Sequence, residues 1–155
     1  MHIDIEADRA ARREERSRLG PAYARAVETD DALLTRLRAH LARRFVGRWD
    51  AWASVLTVQD GGVHRDVTCW LDEAIVEGER RLILTWINAA LSGSGCGSRI
   101  IEEVRAFAEG ARVPLIIGNV TNRGYWSRLG RSWARDVGER SADDNPNLRY
   151  DPPPL

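Results

Sequence analysis

The chain contains no lysine: all 23 of its basic residues are arginine. Without a lysine amine it can hold neither a Walker-type phosphate loop nor a Schiff base. Cysteine is nearly as scarce. Cys69 and Cys96 are the only two, too few for a disulfide framework, which points to a reducing compartment and a cytoplasmic location. No apolar run approaches the length needed to span a bilayer, and the opening stretch MHIDIEADRAARREE lacks the apolar core of a secretory signal, so no membrane association is expected. Excess charge of either sign is absent too: 23 acidic residues offset the arginines, and the molecule as a whole does not attract nucleic acid. The three histidines, His2, His40 and His64, have no partner spacing, so no metal site is expected.

What is present is an ordinary globular composition, 43% apolar and 30% charged over 155 residues. It predicts a single domain over residues 1–142, followed by a loose proline-rich tail over 143–155, where Asn-Pro and Asp-Pro-Pro-Pro oppose helix and central strand. Alternation at Ile3 and Ile5 suggests a short strand over 2–7. Residues 8–19 are so charged that an exposed, partly frayed helix is expected, broken at Gly20-Pro21. Leucines at 33, 34, 37 and 41 recur at helical spacing. Residues 52–58 and 63–71 read as paired strands about Asp60-Gly61-Gly62, and Glu77-Gly78-Glu79 as the next turn. LILTWINA, within 81–89, is apolar enough for a central strand. A helix follows, with Ile100, Ile101, Val104, Phe107 and Ala108 on one face, then a buried strand over 113–118, a short helix over 122–129 and a last strand over 132–137. The order implies a mixed α/β sheet of about six strands, antiparallel in front with a strand–helix–strand unit behind.

The most informative piece is the connection Ser92-Gly-Ser-Gly-Cys-Gly-Ser98 between a strand and a helix. Glycines at 93, 95 and 97 leave backbone amides bare where a helix dipole begins, an arrangement suited to an anion, typically phosphate. The dinucleotide fingerprint does not fit, because serine stands at 98 and Gly118-Asn119 follows the next strand in place of an acid.

Residues 82–130 resemble the acyl-CoA-binding half of the GNAT acyltransferases. That family carries an Arg/Gln-x-x-Gly-x-Gly/Ala turn between its fourth strand and third helix, matched here by Gly95 and Gly97. It then has a strand ending near an asparagine, and a short helix whose tyrosine precedes a glycine by four residues. Asn119 lies seven residues before Trp126, and Gly130 lies four after it. The resemblance implies a GNAT-like sheet with helices on both faces and a splayed central parallel pair. It also implies acetyl-CoA or another acyl-CoA as co-substrate, with the pyrophosphate on Ser92, Gly93, Ser94, Gly95, Cys96, Gly97 and Ser98. The pantetheine arm would lie along Ile87 and Asn88, near Asn119 and Trp126. An acyl group would pass directly to an amine: a small molecule, a peptide N-terminus or an aminoacyl-tRNA. A homodimer is compatible with the resemblance.

Two departures stand out. Ser92 replaces the usual arginine or glutamine, and Trp126 replaces the tyrosine that protonates the leaving thiolate, a task an indole N–H cannot perform. Tyr125 is the adjacent phenol and the candidate acid. The competing expectation is a degenerate GNAT fold that holds CoA or a partner without catalysis. Asp72, Glu73 and Glu77 are expected as turn carboxylates near the cleft and are candidate bases. Trp70 and Trp86 are expected in the core, with Trp49 and Trp52 nearer an acceptor groove. The arginines at 36, 38, 43, 44 and 48 read as a solvated helix face, a clamp for an acidic acceptor, or an RNA patch.

Overall fold

A computed structural model of the chain describes residues 4–45, 47–49, 55–58, 67–89, 96–120 and 133–155, with side chains at 4–45, 69–85, 99–120 and 133–155. Three helices come first: α1 (Ile5–Ser17), α2 (Pro21–Ala24) and α3 (Ala32–Ala42). A meander follows, of β1 (Gly47–Trp49), β2 (Val55–Val58), β3 (Val67–Val76) and β4 (Glu79–Ala89). Then come α4 (Cys96–Ala111), β5 (Leu115–Gly118), β6 (Arg135–Arg140) and β7 (Pro146–Tyr150). The described strands make one sheet in the order β1-β2-β3-β4-β5-β7-β6, antiparallel throughout except for the parallel pair β4–β5 at its centre. This is the GNAT-like arrangement, with seven strands where about six were expected.

Strand alternation divides the core in two. Leu71, Leu82, Leu84, Leu115 and Ile117 face α3 and α4, meeting Leu34, Leu37, Leu41, Ile100, Ile101 and Val104. On the opposite face Ala74, Val76, Ile83 and Ile116 meet Leu19 and Tyr23 of the α1–α2 layer. Helices therefore cover both faces. The tight turn between β3 and β4 falls where expected, with Glu77 and Gly78 both at positive φ (52° and 81°).

Three expectations are corrected. The strand proposed for 2–7 gives way, over its described part, to α1, because Asp4 caps the helix by accepting from the Ala7 amide at 3.1 Å and Glu6 and Asp8 sit in its first turn. Nor is α1 frayed: Asp8, Arg12 and Arg16, spaced by four, form a buried face made of charge. Finally, the tail is not loose, since residues 146–150 form β7 between β5 and β6. Pro146 opens that strand, a position where a missing N–H is tolerated. Behind it Asn147 is fully buried, and Arg149 clamps both carboxylate oxygens of Glu79 at 2.8 Å.

Candidate active site

The site forms where the central parallel strands part. Pairing of β4 with β5 runs from Leu82–Leu115 to Thr85–Gly118 and then stops, although β4 continues to Ala89 against β3. The chain leaving β5 is drawn the other way. Asn119 takes a left-handed conformation (φ 53°), and the Val120 amide donates to the Pro146 carbonyl at 3.0 Å. Asparagine tolerates that backbone better than most residues. Its amide N–H is held by Asn147 Oδ1 at 2.9 Å; its side-chain oxygen accepts from Ser141 Oγ (2.9 Å) and Asn145 Nδ2 (3.0 Å). Asn119 is thus a peg fixing the end of β5 to the β6–β7 turn. Beyond Thr85, in the stretch of β4 that contains Ile87 and Asn88, no described strand pairs with the β5-facing edge.

On the side of this gap where the chain returns, α4 begins at Cys96, so Cys96, Gly97 and Ser98 occupy its first turn. The N-terminus of this sixteen-residue helix carries the positive end of its dipole. Ser92, Gly93, Ser94 and Gly95, like Tyr125 and Trp126, lie outside the described residues, as do His2, His64, Trp52 and the helix expected over 122–129.

The opposite face of the gap holds a small cleft whose enclosed part has room for about one water molecule, lined by Arg12, Glu15, Arg16 and Leu19 of the α1 layer and by Trp70, Asp72, Ile83 and Thr85. Gly118 lets these walls close: a Cβ there would lie 2.5 Å from Leu19 Cδ2 and 3.0 Å from Thr85 Cγ2. Trp70, expected in the core, is half-buried and forms part of this wall. Sequence reasoning missed Glu15, Leu19 and Thr85. The spacing of four from Asp8 to Arg16, and again from Glu15 to Leu19, was the available signal.

Asp72 and Glu73 are not turn carboxylates but lie within β3, pointing to opposite faces. Asp72 receives Arg16 Nε at 2.7 Å and Nη2 at 2.8 Å, Arg12 Nη1 at 2.9 Å and the Glu73 amide at 2.8 Å. Arg12 also bonds both oxygens of Asp31 (3.1 and 2.8 Å) and Asp8 (3.1 Å). Burial alone would lower the pKa of Arg12, but hydrogen bonds and charge from Asp31 and Asp72 outweigh it and drive the pKa up; the same balance, led by Asp72, raises Arg16. Asp31 shows the mirror effect: burial opposes, but Arg12 and Arg9 hold its carboxyl below the usual range. Glu73 is wholly buried, accepting from the Leu34 amide in the first turn of α3 (2.8 Å) and from Arg80 (2.7 Å). Both acids are structural anchors, and neither is placed as a free base. Glu77 stays exposed in its turn.

The arginine run on and after α3 is largely committed to its own fold. Arg36 stacks over Phe107 at 5.6 Å, Arg38 meets Asp8 at 3.3 Å, and Arg44 shares Glu103 with His40, each at 2.9 Å. Among the described residues no group of His, Cys, Asp and Glu could hold a metal ion, and no helix is long and apolar enough to cross a membrane.

No protein-family model matches the chain, and no curated protein matches it in sequence. Among solved structures it is similar to the NatC complex bound to Gag peptide and CoA, at 9% identity over 100% of this chain and 97% of the other, TM-score 0.46. It is also similar to Arabidopsis thaliana Naa50 in complex with the bisubstrate analogue CoA-Ac-MVNAL (12% identity, 80% and 95% covered, TM-score 0.42). A third likeness is to an acyl-CoA N-acyltransferase from Pseudomonas aeruginosa (18% identity, 79% and 89% covered, TM-score 0.41). At these scores the fold assignment rests on the chain's own strand order and its parting parallel pair.

Proposed function

We propose that the chain is an N-acyltransferase that moves an acetyl or other short acyl group from acyl-CoA directly to an amine. The observation that carries this reading is the edge of β4 beyond Thr85, which no described strand covers, bounded by a β5 that turns away and a helix that begins at Cys96. An amide-bearing pantetheine arm can add to such an edge as a short strand along Ile87 and Asn88. Its pyrophosphate would then reach the bare amides of Ser92, Gly93, Ser94, Gly95, Cys96, Gly97 and Ser98 at the positive end of α4. Asn119 serves by holding β5 away from β4, and Trp126 by packing along the arm.

In this reading the thioester carbonyl sits in the gap between the strands. The amine nitrogen attacks it, the C–N bond forms, the C–S bond breaks, the thiolate takes a proton from Tyr125, and the proton shed by the nitrogen passes through water to restore the phenol. CoA is a co-substrate, and the chemistry as proposed uses no metal. The acceptor belongs to one of three classes: small amine, peptide N-terminus or aminoacyl-tRNA. The location is cytoplasmic. Trp126 in place of an acid favours a second reading, a protein that holds CoA or a partner without turnover.

Calorimetric titration with acetyl-CoA tests the proposal. Saturable binding is expected, weakened at least tenfold by Gly95→Val, whose side chain obstructs close backbone approach to the phosphates. Equal affinity in a folded Gly95→Val variant would reduce the glycine segment to a plain loop.

A further inference from the structure

The lining of the cleft on the α1 face is almost wholly apolar, although four charged residues contribute to it. Their tips are engaged elsewhere. Asp72 accepts from two guanidiniums and an amide, Arg12 and Arg16 point at carboxylates, and Glu15 pairs with Arg18 at 3.4 Å. One polar atom is left over: Thr85 is 3% exposed, and its Oγ1 has no hydrogen-bond partner among the described residues. A hydroxyl buried in this way carries a desolvation cost that a ligand oxygen would offset. A trapped water is a poor occupant, because it needs several polar partners and the cleft offers one. The space and the lining suit a methyl group, with a carbonyl oxygen beside it.

We propose that this cleft selects the acyl group and restricts it to acetyl: the acetyl methyl fills the space between Leu19, Ile83 and Trp70, and Thr85 Oγ1 donates a hydrogen bond to the thioester carbonyl. The inference rests on the reading that acyl-CoA lies in the gap. An arm whose phosphates sit past the end of β4 runs back along Asn88 and Ile87, so its acyl tip arrives where the strands rejoin, at Thr85 beside Gly118. On the α3–α4 side of that point the space is taken by core residues, among them Leu84 and Ile117. On the other side lies the cleft. Gly118 has no side chain to block the way into it, and Leu19, 1% exposed, closes its far end. That wall is fixed. The Leu19 carbonyl accepts from Asn147 Nδ2 at 2.9 Å, and the same asparagine holds the Asn119 amide through its Oδ1 at 2.9 Å. Leu19 therefore cannot retreat without disturbing the peg that ends β5, and each methylene beyond acetyl presses on a close-packed wall.

The test is calorimetric titration of the full chain with CoA, acetyl-CoA, propionyl-CoA and butyryl-CoA. Acetyl-CoA should bind roughly tenfold tighter than CoA, whose thiol leaves the Thr85 hydroxyl unmet. Butyryl-CoA should bind roughly tenfold or more weakly than acetyl-CoA, with propionyl-CoA between them. Thr85→Val keeps the shape of the side chain and removes the donor, so acetyl-CoA should fall to within about threefold of CoA. The Thr85 methyl, followed by NMR in the parent, should move with acetyl-CoA well beyond its movement with CoA. Leu19→Ala lengthens the cleft and should recover butyryl-CoA binding by roughly tenfold. If that variant does not fold, the acyl series on the parent and Thr85→Val remain decisive. Equal affinity for acetyl-CoA and butyryl-CoA, or a preference for acetyl-CoA over CoA that survives Thr85→Val, overturns the inference and leaves an acyl-CoA site standing. If neither CoA nor any acyl-CoA binds, the acyltransferase reading falls and the acetyl cleft falls with it.

Discussion

Replacing Asp72 by asparagine keeps the shape of the side chain and removes its charge. In the native structure Asp72 accepts three guanidinium hydrogen bonds, at 2.7, 2.8 and 2.9 Å, from arginines whose side chains are 2% and 1% exposed. Arg12 would keep Asp31 and Asp8 as partners. Among the described residues Arg16 would keep the longer Glu28 contact at 3.4 Å and one neutral amide oxygen, leaving a buried cation with little compensating charge. Breaking a buried pair in this way costs about 3–5 kcal/mol, a large part of the ~5–15 kcal/mol that holds an ordinary domain together. For a chain of this size the melting temperature should fall by roughly 6–20 °C. Asp31→Asn is the internal control: Arg12 retains Asp72 and Asp8, so about 2 kcal/mol is expected. Urea unfolding of the four members of an Arg16→Met/Asp72→Asn cycle should return a coupling of about 1–3 kcal/mol. An Asp72→Asn loss below about 0.5 kcal/mol, or one unchanged in the Arg16→Met background, would refute the claim that Asp72 anchors α1 to the sheet. Were Asp72 instead the catalytic base, its loss would abolish turnover while leaving the melt untouched.

Three further outcomes follow from the same structure. Hydrogen bonds from Arg149 lower Glu79 and Asp151, and Arg12 lowers Asp31 against the opposing effect of burial. These acids bind protons more weakly when folded, so their stabilisation is full above the ordinary carboxylate range and is lost as pH falls through their lowered values; thermal melts from pH 7 to 2 should show that decline, and a flat profile would contradict it. Gly118→Ala pushes the Leu19 and Thr85 side chains away from β5 and should cost about 1–3 kcal/mol in urea melts; a neutral effect would mean that these walls yield freely. Tyr125→Phe should slow acyl transfer by roughly 10²–10⁴ with acetyl-CoA affinity nearly unchanged, whereas acceleration by Trp126→Tyr would mark Trp126 as an impaired acid position.

The central part of the fold was legible because hydrophobic period and turn chemistry agree there. LILTWINA is apolar on both faces and became the central strand β4; the Ile100–Ala108 stripe became the inner face of α4. The ends were misread for physical reasons. Hydropathy cannot see a helix whose buried stripe is Asp8, Arg12 and Arg16, because their carboxylates and guanidiniums neutralise one another only once Asp31 and Asp72 arrive from distant positions. Proline weighed too heavily in the tail, where Pro146 merely opens β7 while Asn147 donates to the Leu19 carbonyl at 2.9 Å. Of the site, the parting strands were foreseen from the glycine segment and Asn119. The cleft behind them was not, since Thr85 and Glu15 lie 70 residues apart and carry no local motif.

Native mass spectrometry of the untagged chain with acetyl-CoA tests the central claim most directly. A one-to-one adduct is expected, displaced by free CoA and depleted at least tenfold in Gly95→Val. A folded chain that retains no acetyl-CoA, or retains as much with valine at 95, would contradict an acyl-CoA site at the parting of β4 and β5.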